Sequence, residues 1–135
     1  MIDSHCHLAD EAFTSDLDAV IARARDAGIG DALCILAAGD EPETARARIV
    51  RDRWGAVRFA AGVHPHAAAP FAARAPDAAA LTRAHLAAFA GCALGEIGLD
   101  YHYDFAPRDV QQDVFAAQLD LARQLDLPVI IHTRE

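Results

Sequence analysis

The chain of 135 residues contains no lysine, and its 12 basic side chains, all arginine, face 20 acidic ones, for a formal net charge of −8. That balance excludes a broad basic face gripping nucleic acid by charge alone. It leaves open a local basic patch, or a phosphate contact made through a metal whose own charge inverts the local field. Cysteine is scarce: Cys6, Cys34 and Cys92 are odd in number, far apart and outside any C-x-x-C pair. No disulfide framework is expected, and a reducing cytoplasmic setting fits best. No apolar run approaches the ~18 residues of a membrane span, so no membrane partner is expected. The start of the chain has no basic stretch followed by a long apolar run, so no signal peptide is expected.

What is present is a chain with 53% apolar residues, enough for one modest domain with a real core. Short apolar runs at residues 1–8, 32–38, 57–63, 93–99 and 128–132 read as strands. Amphipathic stretches between them read as helices. The first is capped by Ser15 and runs to about Asp26, with Leu17, Val20, Ile21 and Ala24 on one stripe and Gly28 and Gly30 stopping it. The second spans Glu41 to Trp54 with Pro42 in its first turn, the third Ala78 to Ala90. Pro107 opens the fourth, whose stripe holds Val110, Val114, Phe115, Gln118, Leu119 and Ala122. The Ala-rich stretch from Ala67 to Ala80 reads as a surface loop leading into the third helix. Nearly continuous apolar strands alternating with such helices indicate a parallel sheet covered by helices. The pattern fits an open doubly wound sheet or part of a closed barrel; a complete eight-unit barrel needs about 250 residues.

In parallel α/β folds chemistry gathers beyond the C-terminal ends of the strands. Six of the seven histidines follow that rule: His5 and His7, His64 and His66, His102 and His132, with His85 alone on an outer helix. Glu96, Asp100 and Arg134 join them at strand ends. His5 and His7, two residues apart, present neutral imidazoles on one strand face, a natural clamp for a zinc-like ion. Asp3 is expected to stand behind a ligating imidazole. Glu96, between apolar CALG and IGLD, needs a charge partner, and a metal suits it best. Arg134 is a candidate phosphate clamp because guanidinium matches phosphate bidentately. Tyr101 and Tyr103 can stack on a ligand or pack their loop, while the three cysteines read as packing residues.

The segments DSHCHL at 3–8, AAGVHPH at 60–66, GEIGLDYHYD at 95–104 and LPVIIHTRE at 127–135 together resemble the TatD-type deoxyribonucleases. The resemblance implies the (β/α)8 TIM-barrel fold of metal-dependent hydrolases, with residues 1–135 as the N-terminal portion of a single domain. Roughly the first five β/α units would be present and the remaining strands absent from this chain. It implies two divalent ions, zinc, magnesium or manganese. His5 and His7 would hold one, His132 the other, and Glu96 would bridge them. His64 and His66 resemble residues beside the substrate phosphate, with Glu96 and His64 in catalytic roles, Tyr101, His102 and Arg134 as further substrate contacts, and Asp100 supporting the ligands. The implied activity is hydrolysis of DNA by a metal-activated water, 3′-to-5′ from a single strand or 3′ end. Two other readings compete. One is an amidohydrolase-like enzyme acting on a small ester or amide; without lysine, a carbamylated-lysine bridge between metals is unavailable, and Glu96 stands in its place. The other is an inactive truncated barrel with a structural or binding role, its open edges pairing with a second copy or a complementary C-terminal chain.

Overall fold

A computed structural model describes residues 1–103 and 105–135; Asp104, which closes the GEIGLDYHYD segment, lies outside the described residues. Five parallel strands lie side by side in chain order: β1 (Ile2–Cys6), β2 (Asp31–Ala37), β3 (Val57–Gly62), β4 (Ala93–Asp100) and β5 (Val129–Arg134). Between them run α1 (Leu17–Asp26), α2 (Glu41–Arg53), α3 (Ala75–Phe89) and α4 (Arg108–Leu125). This is half of a TIM barrel. Strand alternation explains its two apolar layers. Cys34 and Leu36 of β2, Phe59 and Ala61 of β3, and Leu94 and Ile97 of β4 meet Ile21, Val50, Leu86, Phe89 and Leu121 of the helices in the main core. The intervening positions Ile35, Ala60 and Ala93, with Leu33 and Ile130, form a smaller cluster lining the other face. Cys6 and Cys34, register partners on β1 and β2, belong to the helix-facing layer, as a packing role requires.

Most differences from the sequence reading lie at element ends. Helix α1 starts after Asp16 rather than at a Ser15 cap, with no capping side-chain hydrogen bond. Helix α3 begins at Ala75, because Pro76 fits its first turn; the stretch before it folds into two 3-10 turns, Pro65–Ala67 and Ala69–Phe71. Leu119 lies outside the buried stripe of α4 and is 38% exposed, whereas Gln111 and Gln118 are buried. Cys92, expected to pack, is exposed. His85 is buried on α3 and bonds Thr44 of α2 across 3.0 Å.

The two buried glutamines explain how α4 orders the C-terminal ends of the strands. A primary amide can donate and accept at once, so it can replace a missing backbone neighbour. Gln118 accepts from the Val63 N–H at 2.8 Å and donates to the Val63 carbonyl at 3.0 Å. Gln111 accepts from the Asp100 N–H at 2.8 Å and donates to the carbonyls of Asp100 and Ala106 at 3.0 and 2.9 Å.

Two glycines fix the approach of β4 to β5. Gly95 and Gly98 both have φ of +148°, a conformation open essentially to glycine alone. A Cβ at Gly95 would lie 2.6 Å from the Ile130 carbonyl oxygen, and one at Gly98 would overlap that of His132. Gly98→Ala is therefore expected to cost about 1–3 kcal/mol of unfolding free energy in denaturant titration. Wild-type stability in that variant would contradict the close fit.

Candidate metal centre

The end of β1, the middle of β4 and the C-terminal half of β5 bring four expected ligands together. His5 and His7 approach Nε2 to Nε2 at 3.3 Å. His5 Nε2 lies 3.5 Å from Glu96 Oε2. The other oxygen of the same carboxylate, Oε1, lies 3.1 Å from His132 Nδ1. One carboxylate thus stands between two imidazole groups, and Glu96 offers ligand atoms to both sets, His5–His7–Glu96 and His64–Glu96–His132. The mixed imidazole and carboxylate donors suit zinc and neighbouring divalent ions. Converging imidazole nitrogens beside a carboxylate are what a cation would satisfy, so these residues fit a metal.

Asp100 is the anchor beneath this cluster. Its side chain is fully buried, and Oδ2 accepts from His66 Nε2 at 2.7 Å and from His132 Nε2 at 2.9 Å. Oδ1 accepts from the backbone N–H groups of His102 and Tyr103, each at 3.1 Å. Burial by itself would raise this carboxyl; the bonds from the two imidazoles and two amides outweigh it and hold Asp100 well below the usual carboxylate range. With Nε2–H of His132 committed to Asp100, the Nδ1 lone pair is left facing Glu96. An outer carboxylate fixing tautomer and ring plane is a familiar support for a metal-ligating histidine.

His64 stands beside His132, ring centroids 4.4 Å apart. Its Nδ1 accepts from the His66 N–H at 3.2 Å, which leaves the proton of the neutral ring on Nε2. Burial, reinforced by the neighbouring His132 and His66, pushes its pKa down to about 4. At neutral pH His64 is therefore an uncharged ring that presents Nε2–H as a hydrogen-bond donor.

The remaining expected contacts divide. Asp3 accepts from the His5 backbone N–H at 3.1 Å rather than standing behind an imidazole. His66 has Nε2 engaged by Asp100, so that nitrogen does not face a phosphate. Tyr101 packs against α4: its hydroxyl accepts from Gln112 at 2.8 Å, and the Arg108 guanidinium lies 4.5 Å from its ring centroid. His102 is exposed and meets Tyr103 edge-on at 4.6 Å. Arg134 is exposed, its guanidinium 5.3 Å from the Tyr103 ring centroid.

Sequence reasoning missed Glu43. It lines a cleft of about 170 Å³ with His7, His64 and Glu96. Its Oε2 accepts from the Ala37 N–H at 2.6 Å, and burial raises its carboxyl above the ordinary value. It stands in the first turn of α2, a place where an acidic residue is expected for the helix dipole alone, and Asp40 caps that helix by accepting from the Glu43 N–H.

Imidazoles and carboxylates converging toward the C-terminal side of parallel strands are an arrangement suited to the metal-dependent hydrolase class. The chain belongs to the TatD related DNase family, whose model matches residues 2–135. It is 38% identical over 136 residues to the 3′-5′ ssDNA/RNA exonuclease TatD of Musicola paradisiaca, covering 100% of this chain and 50% of that one. It is 33% identical over 142 residues to the uncharacterized metal-dependent hydrolase YabD of Bacillus subtilis, covering 100% of this chain and 51% of the relative. The crystal structure of YjjV, a TatD homologue from Escherichia coli, superposes with a TM-score of 0.74 at 31% identity, over all of this chain and 51% of that one. The chain thus spans about half the length of the relatives it matches. Among the described residues no helix is long and apolar enough to cross a membrane.

Asp100→Asn removes the charge that orients His132. It is expected to weaken metal retention about 10–100-fold, read by competition with a chromophoric chelator. Unchanged affinity would show that His132 is held by other means.

Proposed function

We propose that residues 1–135 form the N-terminal portion of a single TIM-barrel domain. Its site hydrolyses phosphodiesters of single-stranded DNA from the 3′ end, in the cytoplasm. The observation that carries this reading is the Glu96 carboxylate, 3.5 Å from His5 on one side and 3.1 Å from His132 on the other. Such a carboxylate suits the bridge of a two-metal site, with His5 and His7 on one ion and His132 on the second. The names of the relatives, a metal-dependent hydrolase and 3′-5′ ssDNA/RNA exonucleases, support it.

When bound, divalent ions would supply charge to the phosphoryl oxygens and lower the pKa of water. The chain's own residues do the rest. Glu96 sets the separation of the two imidazole groups. Asp100 holds the His132 ring so that Nδ1 faces the site. His64 offers Nε2–H as a neutral donor to a phosphate oxygen, and its depressed pKa keeps it from adding charge. Arg134, on the mouth side of β5, offers a guanidinium to the strand backbone. Positioning and charge placement of this kind supply most of the rate in phosphoryl chemistry. A phosphoester is favoured over an amide because glutamate, not a modified lysine, occupies the bridging place.

The unpaired edges of β1 and β5 are the natural docking lines for a chain carrying the remaining β/α units, or for a second copy. Ile2 and Ile131 on these strands are 68% and 55% exposed, in keeping with a surface meant to be covered.

The test is turnover of a 5′-labelled single-stranded oligonucleotide by metal-reconstituted protein, beside a panel of small esters and cyclic amides. Stepwise shortening from the 3′ end is expected, lost on chelation and lost in Glu96→Gln. Preferential turnover of the esters or amides, or DNA cleavage that persists in chelator, would overturn the reading. The 1–135 chain alone is expected to cleave DNA about a hundredfold more slowly than the intact barrel of a family relative, because ligand support and substrate positioning are incomplete. Equal rates would show that five β/α units suffice.

A further inference from the structure

The loop after β4 carries two large aromatic side chains that the fold does not bury: Tyr103 is 41% exposed and Phe105 60%. Among the described residues the other exposed large apolar side chains are Ile49 and Leu119 on helix exteriors, Met1 and Ile2 at the start of β1, and Ile131 on β5. Tyr103 and Phe105 differ because they stack on each other, centroids 5.5 Å apart and ring planes 23° from parallel. They also abut the metal centre. His66 meets Phe105 edge-on at 4.8 Å and Tyr103 at 5.7 Å, and His66 in turn bonds Asp100, which bonds His132. The Arg134 guanidinium lies 5.3 Å from the Tyr103 ring centroid, adding positive charge to the same rim.

We propose that Tyr103 and Phe105 form a stacking platform for the unpaired nucleobase next to the phosphodiester that the site cleaves. This rests on the nuclease reading above and adds a base-binding subsite to it. Every base has a π-face, so such a platform tolerates sequence but requires a base free of its partner. It answers a difficulty posed by charge: a chain of net charge −8 has little long-range attraction for a polyanion, so affinity has to come from contacts made at the site itself. Stacking supplies affinity that phosphate charge does not penalise. It also selects single strands, since a base inside a duplex presents no free face to Phe105. Tyr101, the other tyrosine of this segment, is committed to Gln112 and Arg108 and takes no part.

Two oligonucleotides test this, identical except that the 3′-terminal nucleotide carries a base in one and is abasic in the other. Phe105→Ala and Tyr103→Ala are expected to raise KM for the base-bearing strand about tenfold, with kcat little changed, and to leave the abasic strand unaffected. Phe105→Trp is expected to restore the wild-type difference between the strands. A 2-aminopurine base at the 3′ end gives a readout independent of turnover, since stacking quenches its fluorescence in the wild type and not in the alanine variants. Equal effects on both strands, or equal quenching in wild type and alanine variants, would overturn the platform. Quenching that depends on Phe105 without any cleavage of DNA by the wild type would leave the platform standing and sink the nuclease reading. Cleavage with no difference between variants would do the reverse.

Discussion

A half-buried carboxylate with imidazoles on both sides is the constraint around which the rest is arranged. Glu96 is held near the middle of β4, its side chain 20% exposed, at a place where unpaired negative charge is expensive. Its partners come from the first and last strands of the sheet, so it can be satisfied only if the sheet curls enough to bring their ends together. The close fit of β4 to β5 at Gly95 and Gly98 makes that possible on one side. On the other, the parallel register carries β1 round through β2 and β3. The curvature of the half-barrel and the assembly of its ligand cluster are one requirement seen at two scales.

The layers behind that cluster have separate tasks. Outward-facing strand positions bury apolar side chains against the helices and give the sheet its cohesion. Inward-facing positions near the strand ends carry the polar groups. Between them, Asp100 gathers two imidazoles and two amides on one carboxylate, while Gln111 grips the backbone of the same residue. Buried polar networks of this sort are costly when incomplete and rigid when every member is paired; among the described residues no buried side-chain polar atom lacks a partner.

Much of this was legible in the residues. The five strands and four helices follow from apolar period and from proline and glycine positions, and the convergence of His5, His7, Glu96 and His132 follows once the strands are parallel. What escaped was set by three-dimensional context. Gln118 sits on the apolar stripe of its helix and Gln111 off it, but neither position tells that backbone groups at strand ends claim the two amides. Asp3 looks like a partner for an imidazole, but a nearer amide takes its oxygen. Tyr101 and Tyr103 cannot be told apart by composition or by a period of two, since the loop after β4 turns one onto α4, against Gln112 and Arg108, and the other onto Phe105. Glu43 carries the signature of helix-start electrostatics, and only the packing of α2 against β2 turns it into the cleft.

The reliance on glutamine amides bears on chemical durability. The chain has no asparagine, the residue most prone to spontaneous loss of its amide nitrogen, and four glutamines, of which Gln111 and Gln118 perform the backbone-gripping described above. Hydrolysis of either would replace a donor by an anionic oxygen facing a carbonyl, turning an attraction into a repulsion at a place water cannot relieve. Both are almost wholly shielded, at 2% and 0% exposure. The shielding that makes these amides structurally demanding also protects them from ageing, so wear on this molecule would begin at its exposed thiol and rim rather than at the fastenings of its sheet.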